Sequence, residues 1–341
     1  MRIVFMGSSA ASSVCLHGLM REDGLDVVGL VTQPDRPAGR GKAITPCHCK
    51  AYAESIGIKE IITPENVNDP DVIDKIASWK PDAVVVVAFG QFLGKRILSL
   101  PRFGCINCHF SILPKYRGAS PVASAIAAGE KLTGVTVMRM DEGMDSGPMI
   151  LQSYEPIYSD VTTGEMTESL SFSGGVTLAK ALKRMASGDP LPEIPQDPAG
   201  ATYAGKLKKT DGRIDWNEPV IVIERKIRAY IPWPGSYTFL PERFRKKGSE
   251  GRVAVGAAEI VSDLEPGWRD AAPGTVLKTV RSVPKDARRD ASGREIKTGV
   301  VVKCGDTALK IVKFKPEGAS FMDGASFLAG RPLVPFEDKF L

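Results

Sequence analysis

The chain has 341 residues, of which 43% are hydrophobic and 25% are charged. This length predicts two domains, and the composition is that of an ordinary globular protein. Apolar runs all fall short of the roughly 18 residues that a membrane-spanning helix requires, so we expect a protein of the cytoplasm.

The net charge of +5 is unevenly distributed. Residues 201–341 contain 26 Lys and Arg against 18 Asp and Glu, a net charge of +8, whereas residues 1–200 contain 19 against 22, a net charge of −3. Such an asymmetry favours a polyanionic partner for the second half. A solvated basic surface is the alternative, and charge alone does not separate the two.

Short apolar runs alternate with helical patterns through the first half. The N-terminal run, Arg2–Met6, predicts a buried first strand rather than a secretion signal. Further runs lie at 26–32, 60–63, 82–88 and 104–109, with helical patterns at 11–20 and 69–78. This alternation predicts an α/β fold with a mostly parallel, Rossmann-like sheet. The first turn lacks Gly-x-Gly-x-x-Gly, so a nicotinamide cofactor is not supported.

The six cysteines have no disulfide-scaffold spacing, which fits a reducing compartment. Two spacings invite a zinc interpretation, Cys47-His48-Cys49 and Cys105-x-x-Cys108. Alternation along a strand would point Cys105 and Cys108 to opposite faces. Packed or surface thiols are therefore favoured, and no metal is predicted.

Asn107 and His109 are the candidate reacting pair. They end a predicted strand, and residues i and i+2 of a strand project from the same face. An amide donor and a group that titrates near neutrality would thus enter one cleft, at the edge where parallel sheets bind ligands. Because a lone histidine is more often structural, the interpretation depends on the surrounding sequence.

That surrounding sequence resembles a known family. Residues 107–121, NCHFSILPKYRGASP, are similar to the Asn-x-His-x-Ser-Leu-Leu-Pro signature of the folate-dependent formyltransferases. Residues 134–147, GVTVMRMDEGMDSG, resemble the Asp-bearing motif of the same family. The resemblance implies a catalytic trio of Asn107, His109 and Asp145, with Asp141 as the competing carboxylate. It also implies a folate site lined by Ser111, Ile112, Leu113 and Pro114.

Further segments resemble the branch of this family that formylates initiator methionyl-tRNA. They are residues 32–42, 88–93, 203–209, 213–216 and 227–234. The cations of the first segment suit contacts to an RNA acceptor end, and a solvated basic turn is the alternative. The tRNA-binding residues implied are Arg36, Arg40, Lys42, Lys206 and Lys208.

A proline-rich stretch divides the chain. Residues 187–200 lack hydrophobic periodicity and are typical of an interdomain linker. We expect the catalytic domain at 1–190, the linker at 191–204 and a tRNA-binding domain at 205–341. Short strands between Gly, Pro and charged turns predict that this last domain is a smaller, OB-like β-barrel.

The resemblance implies transfer of the formyl group of 10-formyltetrahydrofolate to the amino group of initiator methionyl-tRNA, for translation initiation, by a monomer without a metal. Such a transfer passes through a tetrahedral oxyanion, which requires hydrogen-bond donors and a group that manages the amine's proton. The alternatives are a formyltransferase for an amino-sugar nucleotide or glycinamide ribonucleotide, and a non-catalytic RNA- or folate-binding relative. Two departures from the family pattern fall beside the cleft, Gly94 where proline is frequent and the opening Gly7–Ser12.

Overall fold

The computed structural model describes residues 1–38, 41, 43–283, 289 and 295–341. The chain forms two compact units. The first comprises Met1–Ala125, Lys131–Tyr158 and Glu165–Lys206, and the second comprises Ile126–Glu130, Ser159–Gly164 and Leu207–Leu341. Among the described helices, none combines the length and the apolar character needed to cross a bilayer.

The first unit is built on a seven-stranded sheet. The strands up to residue 204 are β1 (Arg2–Gly7), β2 (Asp26–Val31), β3 (Arg36–Ala38), β4 (Ala43–Thr45), β5 (Ile61–Ile62), β6 (Ala83–Val87), β7 (Cys105–His109), β8 (Arg117–Gly118), β9 (Leu132–Arg139), β10 (Met149–Pro156) and β11 (Tyr203–Ala204). The helices are α1 (Ala10–Met20), α2 (His48–Ser55), α3 (Pro70–Ser78), α4 (Lys95–Leu98), α5 (Pro121–Ala128) and α6 (Thr163–Ala186). The sheet order is β10-β9-β7-β6-β1-β2-β5, and β9 runs antiparallel to both of its neighbours. The predicted Rossmann-like, mostly parallel sheet is confirmed.

The central strands of this sheet are apolar because both of their faces are covered. Every residue of β6 and of β7 is buried, as expected of parallel strands. Gly29 in β2 lies so close to the indole of Trp79 that a Cβ at position 29 would fall 2.5 Å from the ring. A glycine is therefore required where Trp79, directly after α3, packs on the sheet.

The second unit is an antiparallel sheet with two helices among its described residues. Its strands are β12 (Ser236–Phe239), β13 (Arg252–Val261), β14 (Val276–Val280), β15 (Gly299–Lys303), β16 (Ala308–Pro316) and β17 (Met322–Asp323), and its helices are α7 (Val220–Ala229) and α8 (Gly324–Gly330). The order is β12-β13-β16-β15-β14, with β17 on β16. Its buried core includes Phe314 and Phe327, whose rings stack at 4.1 Å. This confirms a sheet domain in the C-terminal half.

Candidate active site

The carboxyl end of β7 carries Asn107 and His109. The strand lies between β6 and β9, where Asn107 is opposite Val86 and Met138. The two residues are only 8% and 6% exposed. This is the edge at which parallel sheets bind ligands, and the alternation of β7 brings both side chains to the same carboxylate, that of Asp145.

Asp145 reaches this point from the loop that follows β9. Its Oδ1 accepts a hydrogen bond from Nδ2 of Asn107 at 3.2 Å, and its Oδ2 lies 3.6 Å from Nδ1 of His109. Oδ2 also accepts from the backbone N–H of Gly118 at 2.8 Å. The φ of Asp145 is +48°, a conformation that non-glycine residues rarely adopt. Asp145 is therefore the member of the trio with an unusual backbone conformation.

The surroundings of His109 indicate where its ring carries hydrogen. Nε2 lies 2.8 Å from the carbonyl oxygen of Tyr116, and a carbonyl can only accept, so Nε2 donates. Nδ1 faces the Asp145 carboxylate at an ion-pair distance that is too long for a hydrogen bond. An imidazolium would donate from Nε2 to Tyr116, and its Nδ1–H, which forms no hydrogen bond at 3.6 Å from Asp145, would remain for a substrate oxygen.

Asp141, the competing carboxylate, accepts hydrogen bonds within its own loop. Its Oδ1 accepts from the backbone N–H of Gly143 at 3.0 Å and from Oγ of Ser146 at 2.9 Å. It is exposed, and the polar contacts of Asn107 and His109 go to Asp145 and Tyr116. The geometry thus places Asp145 with the pair and gives Asp141 the role of a turn residue.

The segment predicted to line the folate site forms a tightly bonded turn. Oγ of Ser111 donates to the carbonyl of Lys115 at 2.7 Å, and the backbone N–H of Leu113 donates to Oγ1 of Thr136 at 3.1 Å. Ser111 and Leu113 are buried, whereas Ile112 and Pro114 are half-exposed. A ligand beside this turn would therefore meet Ile112 and Pro114.

The two departures from the family pattern each make hydrogen bonds. In the opening Gly7–Ser12, Oγ of Ser12 donates to the carbonyl of Val87 at 2.6 Å, which ties the start of α1 to the end of β6. The backbone N–H of Gly94 donates to Oδ1 of Asn68 at 2.6 Å, a bond that proline lacks the hydrogen to make. Nδ2 of Asn68 also donates to the carbonyl of Phe92 at 2.8 Å, so Asn68 fixes this loop at two points.

The predicted tRNA-binding residues lie in different settings. Arg36 is in the β3–β4 hairpin, 64% exposed, with its Nη2 3.0 Å from Oε2 of Glu65. Arg40 and Lys42 lie outside the described residues. Lys206 and Lys208 are exposed, the former in the first unit and the latter in the second.

The cysteines are free thiols, all six of them. Sγ of Cys105 donates to the carbonyl of Ile97, whereas Cys108 lies beside Cys15 and Gly174. Burial raises the pKa of the Cys105 thiol to about 12 and also raises that of Cys108. Within the described part of the chain, no group of three or more His, Cys, Asp or Glu could hold a metal ion.

Sequence reasoning missed Gln196, which lies in the stretch predicted as a linker. It is buried, and its Nε2 donates to the backbone carbonyls of Asp145 at 2.8 Å and Gly147 at 2.7 Å. Its Oε1 accepts from Arg117. The sequence signals for this contact were weak, because Arg117 lies within the segment 107–121 and Gln196 is one of two polar residues between prolines.

Comparisons with known proteins agree across the chain. A family model described as formyl transferase matches residues 1–182, and one described as formyl transferase, C-terminal domain, matches residues 206–332. A curated methionyl-tRNA formyltransferase of Chloroflexus aggregans is 40% identical over 97% of this chain and 97% of its own length. One from Bacillus velezensis is 39% identical over 98% of this chain and 96% of its own.

Solved structures share the fold at low identity. WlaRD, a sugar 3N-formyl transferase, is 14% identical with a TM-score of 0.58 and covers 94% of this chain and 99% of its own. HypX from Aquifex aeolicus in complex with tetrahydrofolic acid is 16% identical with a TM-score of 0.58 and covers 99% of this chain and 50% of its own. At such low sequence identity, these structures support only the assignment of the fold. With full-length relatives near 40% identity, both domain models and an assembled Asn–His–Asp centre, the chain belongs to the methionyl-tRNA formyltransferase family of formyl transferases.

Proposed function

We propose that the chain transfers the formyl group of 10-formyltetrahydrofolate to the amino group of initiator methionyl-tRNA, for translation initiation. The observation that carries this proposal is the convergence of Asn107 and His109 on Asp145 at the end of β7. It occurs in a chain whose curated relatives of nearly equal length are methionyl-tRNA formyltransferases. Asn107, His109 and Asp145 are the catalytic residues of this proposal.

In the reaction, the amino nitrogen of the methionyl group forms a bond to the formyl carbon, and the carbonyl π electrons move onto oxygen. The bond from that carbon to N10 of the folate then breaks, N10 gains a proton, and the amine loses one. The charge that develops on the oxygen needs preorganised donors. Nδ2 of Asn107 gives one hydrogen to Asp145 and keeps its second for the oxyanion. The Nδ1–H of His109 is the second donor, and the carboxylate of Asp145, 3.6 Å from Nδ1, orients the ring.

We place the folate beside the turn of Ser111, Ile112, Leu113 and Pro114. The buried bonds to Thr136 and Lys115 fix its backbone. Ile112 and Pro114 offer partly exposed apolar surface, which suits one face of a pteridine ring.

We place the methionyl-tRNA on the basic residues. Arg36, Arg40 and Lys42 belong to the acceptor-end contacts, and Lys206 and Lys208 to the phosphate contacts. The second unit supports this assignment, because several of its cations lie over aromatic rings. The guanidinium of Arg252 is 3.7 Å from the Tyr237 ring centroid, and Arg213 lies over Phe239 while Lys313 and Lys315 lie over Phe321.

These aromatic-associated cations have no carboxylate at ion-pair distance among the described residues. They are thus available to phosphates, and aromatic neighbours with cations are typical of nucleic-acid-binding sheets. The bulges of β13 support closure of the second unit's sheet into an OB-like barrel. Domain limits of 1–190, 191–204 and 205–341 complete this assignment, with 191–204 a connecting segment that packs within the first unit.

One assay tests the function. The protein is incubated with 10-formyltetrahydrofolate and either charged initiator tRNA or an amino-sugar nucleotide, with uncharged tRNA as the blank. We expect formyl-methionyl-tRNA and no formylated sugar. Formylation of the sugar alone would replace this proposal with the amino-sugar alternative, and formylation of neither would favour a binding protein.

The proposal also includes the cellular compartment and the oligomeric state of the enzyme. All six cysteines are free thiols, which supports a reducing, cytoplasmic compartment. We propose that the chain acts there as a monomer, and sedimentation of the purified protein with and without tRNA tests this.

A further inference from the structure

We propose that residues 196–204, which we call the strap, position the catalytic centre, and that Gln196 is its positioning residue. The inference rests on the proposed function, because it concerns how the same site is held in its working geometry. The strap lies within the first unit, although its sequence is typical of a linker.

The side-chain amide of Gln196 is fully used. Its Nε2 donates to the carbonyl oxygens of Asp145 and Gly147, and its Oε1 accepts from Nε of Arg117 at 3.0 Å and Nη2 at 2.8 Å. Gln196 is 8% exposed, so these bonds are shielded from water. They hold the backbone of Asp145 at the one residue of the trio whose φ is positive. A residue in such a conformation persists only where its surroundings determine it.

The strap's backbone holds the other side of the site. Tyr203 and Ala204 of β11 pair in parallel with Arg117 and Gly118 of β8. The backbone N–H of Arg117 donates to the carbonyl of Thr202 at 2.8 Å, and that of Tyr116 donates to Oγ1 of Thr202 at 2.8 Å.

This paired segment supplies the backbone atoms that orient the trio. The carbonyl of Tyr116 accepts from His109, and the N–H of Gly118 donates to Asp145. Gly118 has a φ of +113°, and a Cβ there would fall 2.7 Å from the carbonyl oxygen of Ala204. The close fit of strap to segment therefore fixes the partners of both His109 and Asp145.

The choice of an amide at position 196 supports a positioning role. Arg117 is 7% exposed, and within the described part of the chain its side chain donates to Gln196 and pairs with no carboxylate. A glutamate would form a stronger, charge-assisted hydrogen bond with a buried guanidinium. It could not, however, donate to the carbonyls of Asp145 and Gly147, because an ionised carboxylate only accepts. The glutamine thus donates two hydrogen bonds to the Asp145 loop, and its bond to Arg117 is weaker than that of a glutamate would be.

Gln196→Glu and Gln196→Met of the full chain test this inference, with Glu193→Gln as the matched control. Glu193 lies just before the strap, and its carboxylate pairs with Arg139. We expect kcat to fall about 10- to 100-fold in both Gln196 variants, as for a misplaced catalytic group, with KM for tRNA little changed. Gln196→Glu should keep the wild-type Tm because it gains an ion pair with Arg117. Glu193→Gln should keep the wild-type kcat.

A second measurement is independent of turnover. The chain has three histidines, His17, His48 and His109, so each can be followed by NMR of the labelled imidazoles. In Gln196→Met we expect the ring signals of His109 to shift as Asp145 moves, with those of His17 and His48 unchanged. Unmoved His109 signals, or equal movement of all three histidines, would overturn the inference. Failure of the wild-type protein to formylate would instead refute the proposed function, and the His109 signals would still decide the role of Gln196.

Discussion

At the scale of single residues, the proposed catalytic centre depends on the hydrogen bonds of His109. Its Nε2 donates to a carbonyl and its Nδ1 faces a carboxylate 3.6 Å away. A neutral ring could satisfy the carbonyl only by leaving a lone pair directed at Asp145. An imidazolium would avoid that repulsion and would supply the donor that the proposed oxyanion needs.

Replacing His109 by alanine should reduce kcat by about two to four orders of magnitude, the usual scale for such a group. The Kd values for folate and tRNA should change little, because the ring is nearly buried and its polar contacts are with Tyr116 and Asp145. Steady-state kinetics with binding titrations measure both quantities. His17→Ala is the control, since His17 is exposed on α1 and bonds to Tyr52. Near-normal turnover in His109→Ala would remove this residue from the mechanism.

Replacing Asp145 by asparagine should lower kcat in steady-state kinetics. The neutral amide loses the charge that faces Nδ1 of His109 and one of the two oxygens that accept from Asn107 and Gly118. Asp141→Asn is the matched control, because its carboxylate contacts Gly143 and Ser146. If Asp141→Asn lowered kcat and Asp145→Asn did not, the two carboxylates would exchange roles.

The sequence alone could place only part of this centre. Asn107 and His109 follow from the two-residue period of a strand, and the structure brings both to one carboxylate. The approach of Asp145 depends on how the loop after β9 returns, and on a positive φ that no hydrophobic pattern encodes. That residue came from family resemblance rather than from periodicity.

At the scale of elements, helices and strands with a strong hydrophobic pattern were predicted from the sequence, and several very short strands were not. The strands β1, β2, β6 and β7 and the helices α1 and α3 were predicted because each shows a sustained pattern. The β3–β4 hairpin and the β8–β11 pair were not, because strands of two or three residues carry almost no period. The pairing of β11 with β8 also joins segments far apart in sequence, and local propensity contains no information about such contacts.

The packing of α3 and Trp79 against β2 gives an element-scale prediction. Gly29→Ala places a methyl group within 2.5 Å of the Trp79 ring, and overpacking of this kind destabilises by about 1–3 kcal/mol. Thermal and urea unfolding should report that loss. Gly205→Ala is the control, because nothing lies within 4 Å of its added Cβ. Equal stability of the two variants would show that the indole moves aside without loss.

At the scale of the whole molecule, charge and chemistry are divided along the chain. The proposed catalytic trio lies in the half with a net charge of −3, and the half from residue 201 carries +8. A polyanionic substrate whose reacting end is small suits this division. The basic half would supply affinity, and the site at β7 would supply chemistry.

This division predicts that affinity for charged tRNA falls steeply with salt, because each phosphate neutralised releases counterions. Replacing Arg213, Arg252, Lys313 and Lys315 by alanine should weaken binding and flatten the slope of log K against log salt by about 0.7–0.9 per lost contact. Lys278→Ala is the matched control, since Lys278 is already paired with Glu265 at 2.7 Å. Arg40→Ala should instead lower kcat/KM more than it changes the slope, because we assign it to the acceptor end. Titrations at several salt concentrations measure all three variants. If the fourfold variant kept the wild-type slope, the +8 of the second half would be surface composition, and the tRNA contacts would have to lie in the first unit.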